Sequence, residues 1–318
     1  MTGHVRGAVV SSSVLEVEGL VVEYAVPGGR VRAVDGVSLE LAPGEIRAVV
    51  GESGCGKTSL AKAVLGLERP AAGVIKIGGA VVRGVSKGMA GRVGMVWQDP
   101  FASLNPRWRI GRSILEPAVL TGRTVDLPKL LGEVGLDASL AERYPHQLSG
   151  GQRQRAAIAR ALALRPKLVI CDEPTAALDL SIRAQILNLL KDVREHSGCA
   201  ILYISHDLTT VRFLADRVAV MYLGQFVEEG PTEDVFDDPR HPYTKALMDS
   251  APRLERLRCL PEALVGELPD PRVKHPGCRF AGRCPRVQPI CRERPSVPTR
   301  FENRSYRCEF PITSSDAG

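Results

Sequence analysis

Apolar and polar positions change rhythm several times along the chain, and each change predicts an element. Val37, Leu39 and Leu41 alternate with Ser38, Glu40 and Ala42, the period of a strand with one buried face. Residues 14–50 as a whole read as β structure. Within them, Ile46-Arg47-Ala48-Val49-Val50 is a short, mostly apolar strand that runs straight into Gly51. Leu60, Val64 and Leu67 follow at helical spacing, and Pro70 is expected to close that helix. Residues 105–147 are rich in helix formers, with Pro106, Pro117, Pro128 and Pro145 as punctuation, and they predict a helical subdomain over about 105–160. Leu168–Cys171 and Ala200–Ile204 predict two further buried strands. Strands alternating with helices imply an α/β fold with a parallel sheet covered on both sides.

The turn after the Ile46–Val50 strand carries the first chemistry. Gly51-Glu52-Ser53-Gly54-Cys55-Gly56-Lys57-Thr58, followed by Ser59, has the spacing of a P-loop. Glycines let the backbone curl so that successive N–H groups face phosphates, and the next helix adds its positive N-terminal end. Lys57 is placed to reach the terminal phosphates, and the Thr58 hydroxyl to hold Mg²⁺. At the end of the Leu168–Cys171 strand stand Asp172, Glu173 and Pro174. The carboxyl ends of parallel strands are where open α/β sheets bind ligands. Asp172 is expected to support Mg²⁺ through water, and Glu173 to accept a proton from the attacking water or to orient it. Leu148-Ser149-Gly150-Gly151-Gln152 precedes a helix-like run from Arg153 to Leu164. Ser149 suits the N-cap of that helix, and two glycines allow a phosphate to approach its end.

With that segment the sequence resembles the ABC ATPases. The resemblance implies that Leu148–Gln152 is the signature, acting on ATP held by the P-loop of an opposing subunit. It implies that Gln98 is the Q-loop glutamine, touching both Mg²⁺ and the membrane-facing subdomain. Asp179, in Ala177-Leu178-Asp179, matches the D-loop, and His206, in Ile204-Ser205-His206-Asp207, matches the switch histidine. Tyr24 is the candidate to stack on adenine, and a packed strand aromatic is the alternative. The segments Trp97–Arg107, Val220–Gly224, His241–Thr244 and Gly266–Pro269 are similar to those of oligopeptide and dipeptide importers, in their second or "F"-type ATPase component. The implied function is ATP-driven import of di- and oligopeptides. Importers of nickel, glutathione or another small solute are the alternatives. The implied partners are a "D"-type ATPase subunit, two transmembrane permease subunits and an extracytoplasmic substrate-binding protein. The implied location is the cytoplasmic face of the cell membrane, reached through the permeases.

Composition bears on these readings at a few points. The hydrophobic fraction is 44% and the charged fraction 25%, the balance of an ordinary globular protein. No apolar run approaches the roughly 18 residues that span a bilayer. No secretory signal is visible at the N-terminus, so a cytosolic chain is expected. One P-loop and no sustained heptads argue against soluble ABC ATPases that act on nucleic acid or ribosomes.

The last 68 residues differ from the rest. Residues 1–250 are expected to hold the ATPase domain from about 14 onward, and 251–318 a separate Cys-, Pro- and Arg-rich module. Ten of the 23 prolines fall from Pro252 onward, and residues 251–318 hold 13 Lys/Arg against 8 Asp/Glu, a surplus of 5 out of the net +6. Without an aromatic-basic stripe, that charge predicts a solvated basic face or counter-charge for a nearby anion, and no nucleic-acid partner. Cys278, Cys284, Cys291 and Cys308 are separated by five, six and sixteen residues. Four thiolates suit Zn²⁺ or a [4Fe–4S] cluster, and unmetallated cysteines remain a third reading. Structural zinc sites usually contain a closer pair. The family resemblance implies the iron–sulfur cluster. Arg279, Arg283, Arg286, Arg292 and Arg307 are expected to offset its negative charge, and Cys259 to stand outside it. So short a module builds little core of its own, which predicts that the cysteines staple it and that their loss touches ATP binding less than tail order.

Overall fold

A computed structural model describes residues 13–86, 88–250, 269–270, 272–273 and 275–313. Cys259, the segment Gly266–Leu268 and the expected boundary near residue 250 lie outside or at the edge of the described residues.

Two sheets organise these residues. The first contains β1 (Leu15–Val26) and β2 (Gly29–Leu41), a long antiparallel hairpin, extended by β4 (Ala72–Ile77) and β5 (Ala80–Val81) in the order β2-β1-β4-β5. On β2, Val37, Leu39 and Leu41 are buried while Ser38 and Glu40 face solvent, as the alternation requires. The second sheet contains β3 (Ile46–Val50), β6 (Val93–Val96), β7 (Leu168–Asp172), β8 (Ala200–Ser205), β9 (Arg217–Tyr222) and β10 (Gln225–Pro231). It ends in a hairpin from the tail, β11 (Thr299–Phe301) and β12 (Arg304–Tyr306). Its order is β11-β12-β10-β9-β3-β8-β7-β6, parallel from β9 to β6 and antiparallel beyond β9.

The central strands are buried on both faces, so they carry near-continuous apolar runs. Alternate residues enter different cores. Ala48, Val50, Val169 and Cys171 pack among the helices on one side. Val49, Leu168 and Ile170 pack against the antiparallel sheet and α1 (Lys57–Val64) on the other. That helix is shorter than the spacing predicts. It ends at Val64, Leu67 is 51% exposed, and Pro70 lies well beyond its end. Gly66 stops it, with φ +74° and backbone so close to Gly84 that a Cβ would meet the Gly84 carbonyl carbon at 2.7 Å.

The helical region contains α2 (Pro100–Ser103), α3 (Ile110–Thr121), α4 (Leu127–Glu133), two 3-10 turns at Ala138–Glu142 and Pro145–Gln147, and α5 (Gly150–Leu162). Pro117 does not punctuate here; it sits inside α3, where it gives up one helix hydrogen bond. The remaining helices are α6 (Leu180–Ser197), α7 (Leu208–Leu214), α8 (Thr232–Asp237), α9 (Pro242–Asp249) and α10 (Ile290–Glu293).

The tail is bound into the rest of the molecule. Beyond the β10–β12 pairing, the Arg307 N–H donates to the Val227 carbonyl at 2.8 Å. Arg304 reaches the Asp234 and Asp238 carbonyls at 2.9 and 2.8 Å and the Asp238 carboxylate at 2.7 Å. Phe280 is 1% exposed and belongs to the helix-side core. The tail therefore borrows a core, which agrees with how little apolar surface it has of its own. Three of its arginines, Arg279, Arg283 and Arg304, pair with carboxylates of the ATPase region. Arg279 pairs with Asp35 and Arg283 with Glu52, not with the cysteine cluster that the sequence suggested for them.

Candidate active site

The parallel register explains why distant motifs meet. Val50 aligns with Ser205, Ile204 with Asp172, and Cys171 with Val96 across β3, β8, β7 and β6. The residues just past those strand ends are the Gly51–Ser59 loop, His206, Glu173 and Gln98. All four motifs therefore emerge on one edge, at the carboxyl ends of the strands.

The loop geometry depends on its glycines. Gly51 has φ +154° and a Cβ there would lie 2.2 Å from the Met221 carbonyl oxygen. Gly56 has φ +112° and a Cβ would lie 2.0 Å from the Ala33 carbonyl oxygen. Any side chain at either position would collide with backbone, while Gly54 stands in open space. Lys57 is only 6% exposed, and its ammonium donates to the Gly51 and Glu52 carbonyls at 2.8 and 3.0 Å. The loop thus holds one cation inside a ring of backbone, a cradle suited to phosphate oxygens. Cys55 is buried beneath it, and burial pushes its thiol up. Tyr24 donates its hydroxyl to Ser59 Oγ at 3.3 Å, which places the ring beside the start of α1.

The two carboxylates at the end of β7 differ. Asp172 is 5% exposed, and burial raises it above the usual carboxylate range, against a lowering hydrogen bond from Thr58. The Glu173 charge raises it further. A divalent cation between Thr58 and Asp172 would relieve that burial cost, so the donor set suits Mg²⁺. Glu173 takes φ +49°, an uncommon backbone for a residue with a side chain, and its N–H donates to the Ile204 carbonyl at 2.9 Å. That twist turns its carboxylate toward His206, whose Nδ1 lies 2.8 Å from Glu173 Oε2. A carboxylate oxygen accepts, so Nδ1 is the donor in this contact.

Leu148–Gln152 occupies the start of α5. Ser149 caps the helix directly, so α5 begins at Gly150 and not at Arg153. The Gln152 N–H donates to Ser149 Oγ at 3.3 Å and the Ser149 N–H to Gln152 Oε1 at 3.0 Å, a reciprocal capping box. Ser149 and Gly150 are exposed, and Asp179 caps α6 without a side-chain bond to it. Gln98 is also exposed, two residues past β6. Ser149 and Gly150 of the signature and Asp179 of the D-loop segment therefore lie at the surface.

The tail contributes two features. Cys278, Cys284, Cys291 and Cys308 all line one small cavity, beside Phe280 and Arg286. Burial raises the Cys278, Cys284 and Cys308 thiols, the last to about 12, and neighbouring thiols add to each shift. Among the described residues, no three Cys, His, Asp or Glu side chains stand as ready ligands for a single metal ion. The second feature had no sequence signal: Arg283 reaches Glu52 in the P-loop, 231 positions away.

A P-loop at the edge of a parallel sheet, with acid and histidine on neighbouring strand ends and a capped signature helix, defines a nucleotide-hydrolysing cassette. Residues 34–176 match the ABC transporter family model, and residues 227–291 match that of the oligopeptide/dipeptide transporter C-terminal region. The chain is 45% identical over 279 residues to the oligopeptide transport ATP-binding protein AppF of Bacillus subtilis strain 168, covering 83% of this chain and 85% of that one. It is 43% identical over 290 residues to the di/tripeptide transport ATP-binding protein DppF of Pseudomonas aeruginosa strain UCBPP-PA14, covering 88% and 90%. Among solved structures, it matches the ATP-binding cassette MJ0796 in a dimeric post-hydrolysis state with ADP and Pi, with a TM-score of 0.62 and 27% identity over 69% of this chain and 98% of that one. CbiO1 from Clostridium perfringens gives a TM-score of 0.64 at 29% identity, over 71% and 91%. The chain belongs to the ATP-binding proteins of the ABC transporter family, and it is an ATPase of that class. Among the described residues, no helix is long and apolar enough to cross a membrane.

Proposed function

We propose that this chain is the ATPase subunit that powers import of di- and oligopeptides by a multisubunit ABC transporter. One observation carries this reading: a complete nucleotide edge and the C-terminal region of the oligopeptide/dipeptide transporters occur on the same chain. Two permease subunits, a substrate-binding protein and a second, "D"-type ATPase are the partners this implies, with the chain on the cytoplasmic face. Residues 14–250 form the ATPase domain and 251–318 the tail module.

In this reading Gly51–Ser59 wraps the phosphates, and Lys57 leaves its loop carbonyls for the terminal phosphates. Tyr24 stacks on the base. Thr58, Asp172 and Gln98 hold Mg²⁺, which neutralises phosphate charge when bound. Glu173 orients water and takes its proton, and His206 fixes the Glu173 carboxylate through Nδ1 while Nε2 meets the γ-phosphate. Leu148–Gln152 and Asp179 serve the nucleotide of the opposing subunit. Cys278, Cys284, Cys291 and Cys308 hold a [4Fe–4S] cluster. Four thiols around one cavity suit a cube of iron and sulfide, which spreads its ligands wider than a single zinc with Zn–S bonds of about 2.3 Å.

The test is ATP hydrolysis by the chain co-purified with its permease partners in lipid nanodiscs. Peptide-loaded binding protein should stimulate turnover. Stimulation by nickel- or glutathione-loaded binding protein, with none by peptide, would replace the proposed substrate.

A further inference from the structure

The geometry points to Arg283 as a positioning residue for nucleotide, through which the tail sets the conformation of the P-loop. This rests on the reading of Gly51–Ser59 as the ATP cradle. Arg283 grips Glu52 with two bonds, Nη1 to Oε2 at 2.7 Å and Nη2 to Oε1 at 3.0 Å. The Arg283 side chain is 5% exposed, and the two-pronged contact holds both its charge and its plane. Its Glu52 pair is the largest reason that its guanidinium is held above the ordinary range.

Glu52 is tied down at three points. Its carboxylate meets Arg283, its N–H donates to the Tyr243 hydroxyl at 3.0 Å, and its carbonyl accepts from Lys57 at 3.0 Å. The tail also seats the second anchor. Phe280 packs edge-on against Tyr243 and Tyr222, with centroids 5.4 and 5.3 Å apart. A third contact lies nearby: Arg279 bonds the Leu223 carbonyl, and the next residue, Gly224, donates its N–H to the Cys55 carbonyl at 2.8 Å. The seven residues from Cys278 to Cys284 thus brace the P-loop from outside. A Glu52 peptide free to rotate would carry the carbonyl that orients Lys57 with it, and the cradle would pay for its own ordering when ATP binds. These contacts run through Arg283, Phe280 and Arg279 and not through the cysteines, whose loss is expected to touch ATP binding less than tail order.

The experiment titrates the full chain with a fluorescent ATP analogue and Mg²⁺. Wild-type binding that Lys57→Ala abolishes would establish the cradle itself, independently of Arg283. On that footing, Arg283→Gln should weaken binding about tenfold, and the exchanged pair Glu52→Arg with Arg283→Glu should recover it to within about threefold. In the assembled transporter, KM for ATP should rise while kcat stays within about twofold, because the brace acts on ground-state ordering. Removing one partner of this half-buried pair also costs stability. Should Arg283→Gln fail to fold, Arg283→Lys carries the test, since it keeps the charge and loses the paired geometry. A folded variant that binds the analogue as tightly as wild type overturns the proposal. So does an exchanged pair no better than either single change.

Discussion

Glu173 shows how much of the chemistry is set by single residues. Its φ of +49° is a conformation that a non-glycine side chain holds only when its surroundings enforce it, at a cost on the order of 1–3 kcal/mol. Here the Glu173 N–H bond to Ile204 and the 2.8 Å contact to His206 enforce it. Glu173→Gln keeps the shape and removes the proposed base. Turnover in the assembled transporter should fall at least about 100-fold, while ATP binding persists. Steady-state phosphate release beside nucleotide retention measures both, and near-normal turnover would remove Glu173 from the role of base. Residues of this kind were legible because their spacing is local: Lys57 and Thr58 follow the glycines directly, and Asp172 and Glu173 end one apolar run. Arg283 was not legible. Its partner stands 231 positions away, and one arginine in a basic tail carries no pattern.

At the scale of elements, periodicity marked where strands lie better than where helices stop. The apolar runs of β3, β7 and β8 were visible because each is buried on both faces. The end of α1 was hidden because it depends on the approach of Gly66 to Gly84, a contact between segments. The tail hairpin was missed for a similar reason: β11 and β12 are three residues each, too short for a readable alternation, and they are strands only because β10 offers an edge. Elements so short need another source of order, which the cysteines supply in the proposed reading. Protein purified without oxygen should be brown and contain about four irons and four sulfides per chain. Changing Cys291 to Ser should lower that content and speed proteolysis of the tail. Stoichiometric zinc without iron would replace the cluster by a zinc staple, and metal-free protein would leave buried thiols alone.

For the molecule as a whole, the decisive fact is where the signature points. Ser149 and Gln152 spend their hydrogen bonds on one another, Gly150 is exposed, and Asp179 faces outward at the start of α6, where Leu180 is 79% exposed. In the proposed reading the P-loop and the signature are two half-sites on one chain. A helix N-terminus stabilises phosphate charge only within about one turn of its end, so in the proposed reading each half is completed by a second chain. The structural relative with ADP and Pi is itself dimeric. From this we expect the isolated chain to be a weak ATPase whose activity per chain rises with concentration. Adding the "D"-type partner should raise it, and the permeases should raise it further by holding the two ATPases together, an effective-concentration gain. Complementation separates this from simple activation. A chain with Lys57→Ala keeps its signature, and a chain with Ser149→Arg keeps its P-loop. Mixed, two such inactive chains should regain part of the activity that neither shows alone, because one intact P-loop can meet one intact signature. Full activity in dilute monomer, or no recovery on mixing in a preparation where sedimentation shows dimers, would contradict the shared site.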